Sequence, residues 1–262
     1  HRVPLPRTSL GTISQSRRPR FLSTRATRLC DTCHVWKTIA NWAVTPPFLI
    51  CFGSLLLVFE LVQRVAYLFG QRPQEKAVGW LQICLLHSLR VAGIRLEVER
   101  SPEVLEDTPY IFLGNHQSMF DIAVHGTVLF SNFPKYISKS SLARGIPSIS
   151  YNLRNGGNAL IERSNFKQAT EAIRQLGKQA EARNVSVVLY PEGTRARAGE
   201  LGAFKPGGAL ALMEAAPHLP IVTLAIDNSW KLMRHNLMPI PFGLRIRLYV
   251  GSPAPRHPDE DC

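Results

Sequence analysis

Two short apolar runs, each emptying directly into a polar loop, constrain the fold of this chain more than any other feature. Residues 110–113 (Tyr-Ile-Phe-Leu) and 185–190 (Val-Ser-Val-Val-Leu-Tyr) have strand length, and the second is rich in β-branched side chains. Residues 122–130 then repeat apolar positions at helical spacing. Further short runs at 94–99, 158–161, 221–226 and 244–250 are separated by helical stretches at 165–182 and 208–215. In the first of these stretches Ser164 or Asn165 suits the N-cap, and Phe166, Ala169, Ile173, Leu176 and Ala180 line one face. Strands alternating with helices predict an α/β fold with a mixed, largely parallel sheet flanked by helices. In such sheets ligands bind beyond the C-terminal ends of the strands, where both polar loops fall.

The first loop reads Asn115-His116-Gln117-Ser118-Met119-Phe120-Asp121. Two residues five apart on a regular helix point roughly 140° away from each other. With His116 in the turn and Asp121 in the first helical turn, the carboxylate reaches one imidazole nitrogen. It then fixes the tautomer and leaves the other nitrogen to take a proton from a substrate hydroxyl. Spacing alone fits a turn histidine beside an unrelated aspartate equally well.

The second loop favours the chemical reading. In Pro191-Glu192-Gly193-Thr194-Arg195, Pro191 stops the strand ladder, Gly193 lets backbone approach a ligand, and Arg195 offers a planar fork of donors matched to phosphate. Glu192 is expected to hold Arg195 or a substrate hydroxyl, since a carboxylate aimed at a phosphate would repel it. Taken by itself, Glu-Gly-x-Arg also describes a surface turn with a solvated salt bridge.

Together these loops resemble the glycerolipid acyltransferase family that includes the bacterial lysophosphatidic acid acyltransferases. The family's four blocks have counterparts in order: Asn115 through Asp121; Gly157-Asn158-Ala159-Leu160-Ile161-Glu162-Arg163; Tyr190 through Arg195 with Phe204-Lys205-Pro206-Gly207-Gly208 after it; and residues 219–226, a proline followed by an apolar strand. The second block carries Glu162 where Asp is usual, and the fourth carries Thr223 where a second Pro is usual, a change expected to reshape the acyl-chain channel. The likeness runs from about residue 94 to 251.

The resemblance implies transfer of a fatty acyl group from a thioester, acyl-coenzyme A or acyl carrier protein, to the sn-2 hydroxyl of 1-acylglycerol-3-phosphate. His116 and Asp121 would be catalytic. Arg163, Lys139, Glu192, Gly193, Thr194 and Arg195 would bind substrate, although Lys139 and Lys205 each sit beside an apolar run as a surface lysine also does. No metal or cofactor is implied. No Ser or Cys stands in a nucleophile-elbow pattern, so the hydroxyl attacks directly. A different lyso-lipid acceptor, such as a lyso-ornithine lipid, or an inert basic membrane scaffold are the competing readings.

The formal charge of +12 suits an anionic membrane surface or nucleic acid. Seven arginines lie within the first thirty residues, which contain no Asp, Glu or Lys, and the rest of the chain carries +5. Phe21 is the only aromatic in that leader, so stacking on nucleic-acid bases is not expected. Residues 1–34 read as a disordered leader. Residues 35–92 read as a membrane-associated helical hairpin ahead of a catalytic domain at 93–251 and a loose tail at 252–262. Within the hairpin, 38–59 is an uncharged span of 22 residues. Pro46 and Pro47 are expected to break it, leaving 48–59 as an interfacial helix; 77–91 supplies the second arm, or an amphipathic core helix, with Trp36, Trp42 and Trp80 at the lipid interface. By resemblance the location is the cytoplasmic face of a bacterial inner membrane. Cys30-Asp31-Thr32-Cys33-His34 spells the haem-attachment pattern, but no haem domain surrounds it and no second ligand pair completes a zinc site.

Overall fold

The computed structural model describes residues 24–256, with side chains from Val35 onward. Its contacts divide the chain into His1–Thr38 and Ile39–Cys262. The described part of the first unit is the beginning of helix α1 (Thr24–Leu68), so helix starts within the stretch read as an unstructured leader. Residues 1–23 and the side chains of Cys30, Cys33 and His34 lie outside the described residues.

In the second unit the rest of α1 is followed by α2 (Gln71–Ser88), β1 (Arg95–Arg100), β2 (Ile111–Gly114), α3 (Asp121–Val128), β3 (Lys135–Lys139), α4 (Ile149–Asn155), β4 (Ala159–Ile161), α5 (Phe166–Arg183), β5 (Val187–Leu189), α6 (Pro206–Ala215), β6 (Ile221–Asp227) and β7 (Arg245–Val250). The seven strands form one sheet in the order β1-β7-β6-β2-β5-β3-β4. Every neighbouring pair is parallel except β6 and β7. The mixed, largely parallel sheet flanked by helices is the architecture the alternating pattern implies.

Strand β2 shows why its run is apolar throughout. Ile111 and Leu113 pack with Ile173, Leu176 and Leu212 of α5 and α6, whereas Phe112 packs on the opposite face with Phe48 of α1 and Phe120 and Val124 beside and within α3. A strand covered on both faces has no position for a polar side chain. Each fully buried Phe or Ile of this kind stabilises the fold by roughly 1.5–3 kcal/mol.

Pro46 and Pro47 do not end α1. Both are exposed, and the turns on either side are clamped: Phe48 is fully buried, and Thr45 Oγ1 donates to Asn41 O at 2.6 Å and accepts the Ile240 N–H at 3.0 Å. Tertiary packing outweighs the loss of the proline N–H groups. One line of α1, Thr45, Phe48, Leu56 and Gln63, is buried, while Trp42, Ile50, Leu57, Leu61, Val65 and Leu68 are exposed. The helix therefore has two apolar faces, only one of which the protein covers, and 35–68 is long and apolar enough to cross a membrane.

Helix α2 is a wall of the compact unit rather than a detached arm. Its Leu81 and Leu85 pack with Leu56 and Ala123. Its Glu75 is buried against Lys135 of β3 at 2.8 Å and also pairs with Arg183 and Arg72. Burial pushes the Glu75 carboxyl up, but Lys135 and Arg183 outweigh that and hold it below the usual carboxylate range. The described part of the tail, residues 252–256, is less loose than expected, since Ala254 and Ile221 exchange backbone hydrogen bonds at 2.7 and 3.1 Å, and residues 257–262 lie outside the described residues.

Candidate active site

The loops after β2, β3, β4, β5 and β6 all leave the same edge of the sheet, because these strands run parallel. After Gly114 the Asn115 side chain continues the ladder in place of backbone: its Nδ2 donates to Ile226 O and its Oδ1 accepts the Ile226 N–H, both at 2.8 Å. The chain then turns, and His116 Nδ1 lies 2.8 Å from Asp121 Oδ2.

Asp121 opens α3 and is fully buried. Its Oδ2 also accepts the Gln117 and Ser118 N–H groups at 2.6 and 2.8 Å, and its Oδ1 accepts Ser229 Oγ–H at 2.6 Å. A desolvated carboxylate is tolerable only with such donors. These bonds fix the carboxylate, and the carboxylate fixes the imidazole. His116 keeps some solvent exposure, and no hydrogen bond among the described residues engages its Nε2.

The loop after β5 is sewn to the first. Glu192 is buried, with Oε1 accepting the His116 N–H at 2.9 Å and Oε2 the Gly202 N–H at 2.8 Å. Ala196 N–H donates to His116 O at 2.7 Å. Glu192 therefore does not hold Arg195, one of the two roles that the sequence suggested beside holding a substrate hydroxyl. Both carboxylate oxygens go to backbone donors, because the two loops bury N–H groups that nothing else satisfies. Gly193 turns the loop with φ of 65°, a left-handed conformation suited to glycine, and is exposed together with Thr194.

Tyr190 stacks on His116, with ring centroids 4.2 Å apart and planes 12° apart. Its hydroxyl is 2.8 Å from His125 Nδ1. Burial pushes the Tyr190 phenol well above its ordinary range, with Tyr136 and Asp121 adding to the effect. Burial also lowers His125 to about 4, against the pull of Asp121. Both groups are neutral at pH 7, and His125 Nε2 is buried without a partner.

Arg195 is half-buried, whereas Arg163 follows β4 and Lys139 ends β3, both exposed. None of the three has an ion pair or hydrogen bond among the described residues, so three cations stand unneutralised along the edge that carries His116. Thr223 lies exposed on the outward face of β6 beside Gly251, away from the buried Val222 and Leu224.

Sequence reasoning placed His116 and Asp121 together but missed Tyr190, Ser229 and the structural use of Asn115. The β2–β5 register, which pairs Leu113 with Leu189, sets Gly114 beside Tyr190 and so starts the loop that carries His116 next to that ring. Ser229 lies two residues beyond β6, a strand adjacent to β2, and that adjacency was the signal that could have found it.

A model of the Acyltransferase family matches residues 95–227. The 1-acyl-sn-glycerol-3-phosphate acyltransferase alpha of Mus musculus is 29% identical over 171 residues, covering 65% of this chain and 59% of the relative. The 1-acyl-sn-glycerol-3-phosphate acyltransferase of Pseudomonas aeruginosa is 32% identical over 157 residues, covering 58% of each chain. The chain thus spans under three fifths of the length of these curated relatives. The crystal structure of the 1-acyl-sn-glycerophosphate (LPA) acyltransferase PlsC from Thermotoga maritima shares the fold, with a TM-score of 0.68 at 19% identity over 86% of this chain and 88% of that one.

Proposed function

Because the chain belongs to the Acyltransferase family, we propose that it transfers a fatty acyl group from an acyl thioester to the sn-2 hydroxyl of 1-acylglycerol-3-phosphate, forming phosphatidic acid. One observation carries the reading. His116 Nδ1 is locked on Asp121 at 2.8 Å, and Nε2 is left unengaged at a sheet edge that also bears the unpaired Arg195, Arg163 and Lys139. A base with a fixed tautomer beside unneutralised cations suits a substrate that presents a hydroxyl and a phosphate together.

In the proposed reaction His116 Nε2 takes the acceptor hydroxyl's proton as the oxygen attacks the thioester carbonyl. The Asp121 carboxylate stabilises the imidazolium that results. The tetrahedral oxyanion collapses, the C–S bond breaks, and the imidazolium returns the proton to the departing thiolate. Arg195, Arg163 and Lys139 hold the acceptor phosphate. Gly193 and Thr194, exposed in the same loop, let substrate approach the backbone. Glu192 serves indirectly, by holding the His116 backbone in place.

The exposed apolar face of α1 supports work at a membrane surface, and the location proposed is the cytoplasmic face of a bacterial inner membrane. The donor is acyl-coenzyme A or acyl carrier protein, and the reaction uses no cofactor and no nucleic acid. The test is to offer purified protein a panel of lyso-lipids with both donors and identify products by mass spectrometry. Phosphatidic acid from lysophosphatidic acid is the expected product. Preferential acylation of a phosphate-free acceptor, such as a lyso-ornithine lipid, would overturn the acceptor assignment.

A further inference from the structure

The connection between β6 and β7 returns to the edge that carries His116, because β7 runs antiparallel to β6. It begins with Ser229, bonded to Asp121, and then makes an irregular excursion through residues 234–243 that is unusually well pinned for a loop. Ile240 is fully buried, and its N–H donates to Thr45 Oγ1 at 3.0 Å. Phe242 N–H donates to Asn41 Oδ1 at 2.7 Å, and Gly243 N–H to Ala92 O at 2.9 Å. The backbone is thereby fastened to α1 and to the turn before β1.

What this fastening does not do is bury the two largest apolar side chains of the excursion. Met238 is 59% exposed and Phe242 is 52% exposed. Val91, near the Ala92 that receives the Gly243 bond, is exposed as well, and so are Ile39 and Trp42, which flank Asn41 on α1. The patch therefore continues the uncovered apolar face of α1 onto a different part of the chain. Its surroundings are cationic. Residues 228–243 contain no Asp or Glu and include Lys231 and Arg234, and Arg90 is exposed beside Val91, whereas Arg245 and Arg247 of β7 are paired with Glu97 of β1.

We propose that residues 234–243 form a second lipid-contacting lip, in which Met238 and Phe242 dip into an anionic bilayer beside α1 while the neighbouring cations meet the head groups. Apolar side chains held on a rigid turn within a cationic rim have the chemistry of an interfacial membrane contact. Because the loop is tied to α1 at one end and to Asp121 through Ser229 at the other, this contact would seat the catalytic edge against the lipid that holds the acceptor. The proposal rests on the reading of α1 as a membrane-associated helix.

The test places a reporter on the lip of the full chain by Phe242→Trp, with Met238→Trp as a second reporter should the first not fold. Glu103→Trp, in the loop that leaves the opposite edge, is the control. Each variant is bound to vesicles of phosphatidylglycerol and phosphatidylcholine, with and without bromine on the acyl chains near the head group. Measured as the difference from the unmodified chain, which has four tryptophans of its own, the added lip tryptophan should lose most of its fluorescence to brominated lipid and resist aqueous iodide, and the added control tryptophan should do the reverse. Protein that floats with the vesicles while the lip reporter remains open to iodide and untouched by bromine would overturn the lip alone. Protein that does not float at all would overturn the membrane reading of α1 and the lip with it. Shielding of the reporter that needs only higher protein concentration and no lipid would assign the patch to a second copy of this chain and overturn the lipid contact.

Discussion

Ser229 and Glu192 touch no predicted substrate atom, yet each acts on a residue that the proposed chemistry needs. Ser229 supplies the hydroxyl bonded to Asp121 Oδ1, and its removal leaves a buried anion one donor short. A hydrogen bond to a charged group contributes about 1.5–3 kcal/mol, so Ser229→Ala should lower turnover by roughly tenfold or more. Ser229→Thr, which keeps the hydroxyl, should recover much of the loss; equal rates for wild type and Ser229→Ala in a steady-state assay would remove Ser229 from the account. Glu192→Gln exchanges an oxygen that receives a backbone N–H for an amide that donates, so one of the His116 and Gly202 bonds is lost. The prediction is a fall in kcat with little change in KM for lysophosphatidic acid, whereas Arg195→Ala should chiefly raise that KM. The His116–Asp121 pair was legible because a strand-to-helix turn brings i and i+5 within reach. The role of Glu192 was not, because its partners are backbone amides and a backbone amide leaves no mark in a sequence.

At the scale of elements, short apolar runs announced β2, β5 and β6, the first two covered on both faces and β6 on one, and the Asn165 cap announced α5, whose Gln168 N–H it receives at 3.1 Å. Strand β3 was missed because Lys135 and Lys139 bound it, and Lys135 is buried only by virtue of Glu75 on α2. Helix α4 was missed because seven residues hold too few turns for periodicity to show. The continuity of α1 through two prolines depends on contacts with residues near 240, far away in sequence. Those contacts change what truncation should do. Removing residues 1–38 should leave the fold intact, whereas removing 1–92 strips Phe48, Leu81 and Leu85 from the core and should abolish cooperative unfolding rather than merely free the domain from vesicles. Circular dichroism melts distinguish the two. A tighter element contact lies between α5 and α6, where a Cβ on Gly177 would meet Ala215 Cβ at 2.9 Å and Leu212 O at 3.2 Å. Gly177→Ala should therefore destabilise by about 1–3 kcal/mol, seen as a lower melting temperature.

For the whole molecule, pH and charge set the working range. His125 is buried neutral, with its pKa lowered to about 4 from an ordinary 6.5. Between these values the unfolded chain binds a proton that the folded chain does not, so stability falls as pH drops from about 6.5 towards 4, at up to about 1.4 kcal/mol per pH unit from this group. The double change His125→Leu with Tyr190→Phe, which removes both polar partners together, should flatten that part of the stability profile in denaturant titrations. On the proposed reading the positive charge and the uncovered face of α1 would bring the molecule to an anionic bilayer, and the parallel strands gather His116, Arg195, Arg163 and Lys139 at one edge. The parallel core of the sheet was legible from alternation of strand and helix. The antiparallel turn of β7 against β6, which creates the lip, was not, because the connection between them has no periodic pattern. The proposed chemistry depends most on His116 as the base. Its most direct test is the rate of phosphatidic acid formation from lysophosphatidic acid and an acyl thioester by wild type and by His116→Ala, each bound to vesicles and each shown to be folded. The predicted result is a fall of roughly two to four orders of magnitude with vesicle binding unchanged; a folded His116→Ala that forms phosphatidic acid at close to the wild-type rate would contradict it.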